Sequence, residues 1–188
     1  MGANVNNAML LLVNILFELY LWVLLLRVLL QWCKADFFNP FSQFIWRVTQ
    51  PLAAPLTRLI PRWRQLDVAG LVICVMFAWL YVVTIYGLFF PRPVDPLTAF
   101  GYASLKLITH TLSLFTLSIF IQALLSWFGP GVNNPAASVL WSINEPLLRP
   151  VRRLIPPIGG LDLTPLFVII ALQVVNQIVP LPFELRRI

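Results

Sequence analysis

Four apolar runs limit what this chain can become. They extend from about Ala8 to Leu30, from Val68 to Phe90, from Leu97 to Phe128 and from Leu163 to Leu181. An α-helix rises about 1.5 Å per residue and must cross about 30 Å of hydrocarbon, so roughly twenty apolar residues make one crossing. The sequence therefore predicts an all-α membrane protein of four transmembrane helices. Composition agrees, with 60% hydrophobic and only 11% charged residues against roughly a quarter charged in an ordinary soluble domain. The third run is longer than a perpendicular crossing needs, which predicts a tilt or first turns lying in the interface. No basic segment precedes the first run and no small-residue cleavage site precedes Trp32, so that run is expected to be retained rather than removed as a signal peptide.

The chain also repeats itself. Shifted by 95 residues, Leu30 falls on Leu125, Trp32 on Trp127, Asn39-Pro40 on Asn134-Pro135 and Trp46 on Trp141. Pro51 then meets Pro146, Pro55 meets Pro150, Arg58-Leu59-Ile60-Pro61 meets Arg153-Leu154-Ile155-Pro156, and Asp67 meets Asp162. Coincidence of tryptophans and prolines without a gap identifies a duplication. Residues 1–96 and 97–188 are the expected units, each a helical hairpin. A unit that crosses twice returns the chain to its starting side, so the two copies are parallel repeats and an inverted-repeat transporter is disfavoured. Lys34, Arg47, Arg58, Arg62, Arg64, Arg149, Arg152 and Arg153 lie in the loops within the repeats, while Arg92, Arg186 and Arg187 lie at the other side. Basic residues favour the cytoplasmic side, which predicts cytoplasmic intra-repeat loops, with both termini and the Pro91 to Pro96 link outside.

In each loop an Asn-Pro pair, Asn39-Pro40 or Asn134-Pro135, reads as a helix start: Asn caps free amides, and proline at the first position loses no needed donor. Phe41, Phe44, Ile45, Val48 and Leu52 then share one helical face, as do Ala136, Val139, Leu140, Ile143 and Leu147 in the second copy. Pro51 and Pro146 are expected to end or kink these helices, with a second short turn from Pro55 and Pro150 stopping before Pro61 and Pro156. Short amphipathic helices with Trp46 or Trp141 and nearby arginines suit the membrane interface, where anionic lipid headgroups are the expected partner. Such a surface also suits docking of another membrane protein or a second protomer. Asp67 and Asp162 open the returning spans and are expected to cap them.

The segments Asn39-Pro40-Phe41-Ser42-Gln43-Phe44-Ile45, Val48-Thr49-Gln50-Pro51-Leu52 and Pro55-Leu56-Thr57-Arg58-Leu59-Ile60-Pro61, with their second copy from Asn134-Pro135 to Asp162, resemble the signature of the YggT family, also called YlmG. The resemblance covers nearly the whole chain. It implies a small bacterial inner-membrane protein with chloroplast relatives, associated with osmotic tolerance, potassium homeostasis, division-gene clusters and assembly of thylakoid cytochrome complexes. It implies no single biochemical activity. Ala136, Ala137 and Ser138 stand where the first copy has Phe41, Ser42 and Gln43, so the two loops need not bind alike.

Ionisable residues within a span are costly and each needs a partner, water or an escape to the interface. Arg27 and Lys106 lie toward span ends and are expected to snorkel. Glu18 lies mid-span, level with Ser113 by the repeat; His110 is a turn away, and Tyr81 and its repeat mate Asn176 fall at similar depth on the returning helices. With Gln173 these residues form a candidate polar layer, either bonding across helices or carrying protons or cations. Cys33 and Cys74 form no metal, haem or redox motif, and His110 is the one histidine, so no metal or other cofactor is expected. Neither a nucleophile motif nor a phosphate-cradling loop argues for catalysis, and the +6 charge on a membrane protein argues for lipid rather than nucleic acid. The expected role is a non-enzymatic scaffold or assembly and maintenance factor for membrane complexes, linked to envelope or osmotic homeostasis. The alternative is an oligomeric cation- or proton-permeable assembly with Glu18 as its ionisable element.

Overall fold

The computed structural model describes residues 2–60, 67–91, 93–127, 135–155 and 162–186, and every regular element among them is helical. In chain order these are α1 (Gly2–Trp32), α2 (Pro40–Leu59), α3 (Val68–Phe89), α4 (Pro96–Trp127), α5 (Pro135–Arg152), α6 (Thr164–Ile178) and α7 (Phe183–Arg186). Stretches of three helices, Val5–Trp32, Val68–Phe89 and Pro96–Ser126, are long and apolar enough to cross a membrane. The helix expected over residues 163–181 is shorter. α6 holds 15 residues, about 22 Å of helix at 1.5 Å per residue. It ends because Val179 turns extended (φ −60°, ψ 124°) before Pro180, which has no N–H to continue the ladder. After it the chain folds back through α7, burying Leu181 ahead of that helix and Leu185 within it in the main core.

The long helices pack in the order α1, α3, α4, α6, with α2 and α5 against their shared end. α3 shows how sequence sets this packing. Gly70, Cys74, Ala78, Tyr81, Val82 and Ile85 are all buried, at the three-and-four spacing of one helical stripe. Its first turn is fixed by Asp67, whose carboxylate accepts the Gly70 amide at 2.9 Å, satisfying a donor the helix cannot use internally. α1 ends in a turn that closes Ala35 N–H onto the Leu30 carbonyl at 2.9 Å, with Lys34 left-handed at φ 52°. This reversal sends the chain into α2.

One expectation about the loops is corrected: the helices do not end at Pro51 or Pro146 and restart at Pro55 or Pro150. α2 and α5 are each one continuous helix that runs through Pro51 and Pro55, or Pro146 and Pro150. Each proline deletes one ladder bond, but the two stand four residues apart on the exposed face of their helix, where freed carbonyls remain accessible. The remaining bonds carry the helix across. The buried stripe of α2 is Ser42, Ile45, Thr49 and Ala53, whereas Phe44 and Leu52 of the predicted apolar face are exposed. α2 thus turns much of its apolar face away from the bundle, as an interfacial helix does. α5 instead buries Val139 and Ile143 of its apolar face.

At Gly70 the packing leaves no room for a side chain. A Cβ there would lie 2.8 Å from Asp67 Oδ2 and 3.1 Å from Val28 Cγ2, and that carboxylate is already pinned by the Gly70 amide and by Arg27. Gly70→Ala is expected to destabilise the bundle by about 1–3 kcal/mol despite its better helix propensity. Thermal unfolding in detergent against Gly87→Ala, where nothing lies within 4 Å of a new Cβ, checks this.

Candidate functional site

At the loop-helix end, the first repeat is organised around a buried arginine. Arg27 is 1% exposed. Its Nε donates to Asp67 Oδ2 at 3.0 Å, while one terminal nitrogen donates to Thr49 Oγ1 at 3.0 Å and to Gln50 Oε1 at 3.4 Å. The guanidinium lies 3.8 Å from the centroid of a Trp46 ring, and Trp46 meets Phe37 edge-on at 5.9 Å. One side chain of α1 therefore joins α2 to the cap of α3. Snorkelling is overturned for Arg27: it finds a carboxylate, a hydroxyl and an aromatic face inside the protein, so leaving them for the interface would strand Asp67.

The second repeat solves the same position without a buried charge. Gln122, the repeat mate of Arg27, accepts from Asn144 Nδ2 at 2.8 Å, and Asn144 Oδ1 accepts from Ser118 at 2.6 Å. Asp162 turns outward to Arg152 at 3.1 Å, which also lies 3.3 Å from Glu145. Asp162 stands one residue before the helix cap, yet its Oδ1 still accepts the Thr164 amide at 2.9 Å. Burial alone would raise its pKa, but the bonds from Thr164 and the Arg152 charge outweigh this and hold the carboxyl below its ordinary range.

The two loop helices are fastened to each other. Asn39 caps α2 by accepting the Phe41 amide at 2.8 Å, and its side-chain amide donates to the Pro135 carbonyl at 2.6 Å and to Ser138 Oγ at 2.8 Å. One asparagine thus caps α2 and ties it to the first turn of α5. Pro40 is the first residue of α2 and Pro135 the first of α5. Arg58 and Arg153 are exposed, as are Pro51, Pro55, Pro146 and Pro150. Trp141 and Phe44 present exposed aromatic surface. Asn134, Pro61 and Pro156 lie outside the described residues.

Deeper in the bundle, the candidate polar layer is largely brought together. Glu18, His110, Ser113 and Asn176 line one cleft of about 310 Å³ with Trp22, Thr109, Gln177 and Arg186. Asn176 donates to Ser113 at 3.2 Å. Lys106 is at the centre: its ammonium lies 2.6 Å from Glu18 Oε1, donates to the Leu185 carbonyl at 2.5 Å, and stands 5.2 Å above the Tyr81 ring. At 2% exposure it does not snorkel, because α7 supplies a carbonyl over it and α1 a carboxylate beside it. His110 Nε2 lies 3.8 Å from the same Glu18 oxygen. Both that nitrogen and the Tyr81 hydroxyl are buried without a hydrogen-bond partner among the described residues. Gln173 does not join; it is exposed on α6. Sequence reasoning missed both charge partners, although opposite charges on neighbouring spans were the available signal.

The CCB3/YggT family model matches residues 6–88 and again 101–183. "Uncharacterized protein YggT" of Escherichia coli K12 is 36% identical over 172 residues, covering 91% of this chain and 88% of that one. An uncharacterised protein of Pseudomonas aeruginosa is 38% identical over 175 residues, 93% of this chain and 89% of its own. A Vibrio alginolyticus protein encoded in the proC 3′ region is 39% identical over 171 residues, 90% and 92% respectively. No solved structure matches.

The two aspartates should respond differently to substitution. Asp67→Asn uncouples the buried Arg27 and is expected to destabilise by about 3–5 kcal/mol, whereas Asp162→Asn, with partners a third or more exposed, should change stability by less than about 1 kcal/mol. Because the folded Asp162 pKa lies below its unfolded value, its small contribution is present at neutral pH. It is lost as pH falls below about 4 and through the folded pKa. Denaturation in detergent across pH reads both effects. In the cleft, Glu18→Gln strands buried Lys106 and should cost about 3–5 kcal/mol, and adding Lys106→Met should recover much of it. A double variant no more stable than Glu18→Gln would show that Lys106 does not depend on Glu18.

Proposed function

This chain belongs to the CCB3/YggT family, and from that premise we propose that it is a non-enzymatic scaffold of the bacterial inner membrane, supporting assembly or maintenance of other membrane complexes. In this reading it crosses four times as two helical hairpins, with both termini outside and α2 and α5 at the cytoplasmic interface. α6 is the fourth span, with the bilayer thinning locally around its short helix. The observation that carries the reading is the Asn39 bridge, which makes α2 and α5 one plate, itself held to the bundle through Arg27. A plate anchored in this way holds its surface residues in fixed positions, as a docking surface requires. Phe44 is exposed on it and Phe38 just before α2, and Arg47, Arg58, Arg149 and Arg153 are exposed along the same two loop segments. Aromatic anchors within a basic surface fit anionic headgroups and the juxtamembrane parts of partner proteins.

The permeation reading takes Glu18 as its ionisable element, and the Lys106 nitrogen at 2.6 Å disfavours it by pairing with that carboxylate.

Mild-detergent purification from native membranes tests the scaffold. Other membrane proteins should copurify with the wild-type chain, and Phe38→Asp with Phe44→Asp should reduce their recovery about ten-fold or more while leaving the thermal transition in place. Recovery of the bare chain, under conditions that preserve other known membrane complexes, would sink the reading. In the same membranes a cysteine replacing Asp36 should label only after permeabilisation, and one replacing Pro93 should label from outside.

A further inference from the structure

The duplication makes α4 the counterpart of α1, and α6 the counterpart of α3. Within the chain, α3 and α4 build the most extensive helix–helix seam of the structure. A closed two-fold bundle would repeat that seam between α6 and α1. Instead α6 packs on α4 and α5, and the polar cleft lies between it and α1. Both halves of a second seam are therefore present, side by side, and unused.

The residues on the two faces bear this out. On α4, Ala103 and Lys106 are buried at 0% and 2% exposure; their repeat mates on α1, Ala8 and Leu11, are exposed. On α3, Ala78 and Val82 are fully buried; their mates on α6, Gln173 and Gln177, are exposed. Gln177 accepts from Arg186 at 3.1 Å, so Gln173 is the residue at issue. An apolar residue exposed there suits lipid, but an unpaired glutamine does not, because hydrocarbon offers an amide no hydrogen-bond partner. Gln173 makes no side-chain hydrogen bond among the described residues. A protein neighbour carrying polar groups at that depth would supply one.

We propose that this neighbour is a second copy of the chain, with α6 of each copy packed antiparallel on α1 of the other. Because α1 and α6 flank the same open side, one two-fold axis along the membrane normal brings both seams together at once. The order α1, α3, α4, α6 then continues into the copy and closes through it. Such a contact reuses a helix pairing the chain already makes, and it places Ala8 where Ala103 allows close approach within the chain. The register follows too: Lys106 stands over Tyr81 in the internal seam, so Leu11 of one copy should lie beside Asn176 of the other. The dimer goes beyond the scaffold reading and survives its failure, since the α2/α5 plate takes no part in it.

Disulfide trapping in native membranes tests the pairing. In a Cys33→Ala, Cys74→Ala background, Leu11→Cys and Gln177→Cys are placed on separate, differently tagged chains, coexpressed and oxidised. The expected result is a shift of about half of each chain, the share that random pairing of a two-fold dimer puts in mixed dimers, into one heterotypic dimer, with little homotypic dimer of either. Light scattering of the wild-type chain in mild detergent, independent of any substitution, should give twice its 21.4 kDa mass. Homotypic dimers in equal yield would overturn the proposed seam, as would an intrachain disulfide when both cysteines are on one chain. A wild-type mass of a single chain would overturn the dimer itself.

Discussion

The bond between Arg27 and Asp67 is the constraint from which the first repeat takes its shape. Asp67 serves two purposes with one carboxylate: Oδ1 caps α3 and Oδ2 receives the guanidinium of α1. Because Arg27 also holds Thr49 and Gln50, the relative positions of α1, α2 and α3 meet at one point. The absence of a side chain at position 70 is part of this design, since Val28 and the carboxylate close in from either side. A buried pair of this kind is poor evidence for net stability, because desolvation opposes the attraction. Its clearer consequence is specificity. Few placements of α2 satisfy the arginine, so the loop helix is held in one orientation.

The second repeat shows what changes when that charge is removed. Gln122, Asn144 and Ser118 occupy the equivalent place as a neutral network, and the aspartate they no longer need turns to Arg152 at the surface. The same backbone plan is thus joined through a buried ionic contact in one copy and through amides in the other. Their exposed faces differ accordingly: α2 directs Phe44 and Leu52 outward, while α5 buries Val139 and Ile143. Asn39 joins these unlike halves, so the surface they form is continuous but asymmetric.

Much of the architecture was legible because membrane crossing and duplication leave strong marks. The three long apolar helices, the Asn39-Pro40 helix start and the Asp67 cap follow from apolar run length and capping chemistry. Continuity through Pro51 and Pro55 was not legible, because proline specifies a lost bond without saying whether the neighbouring bonds suffice. α7 was hidden for another reason: Leu181 and Leu185 bury themselves through tertiary contacts that a four-residue helix does not announce. The repeat placed Glu18, Ser113, Tyr81 and Asn176 at similar depth, and the structure gathers Glu18, Ser113 and Asn176 around one cleft. Lys106 lay outside that comparison, since its mate is the apolar Leu11. A pairing unique to one copy cannot be found by aligning the two.

Helical geometry gives the two ionic contacts of α1 a joint meaning. Glu18 and Arg27 are nine residues apart, and at roughly 100° per residue they project from opposite sides of the helix. Arg27 reaches α2 and the start of α3, while Glu18 reaches Lys106 of α4, which α7 covers from above. Rotation of α1 that improved one contact would withdraw the other, and sliding along its axis would weaken both. Lipid cannot fix the rotation of an apolar helix, since one greasy face is much like another to it. Two ionic contacts on opposite sides, one made by buried Arg27 and one made to buried Lys106, can do so. α1 is therefore set in register with both repeats at once.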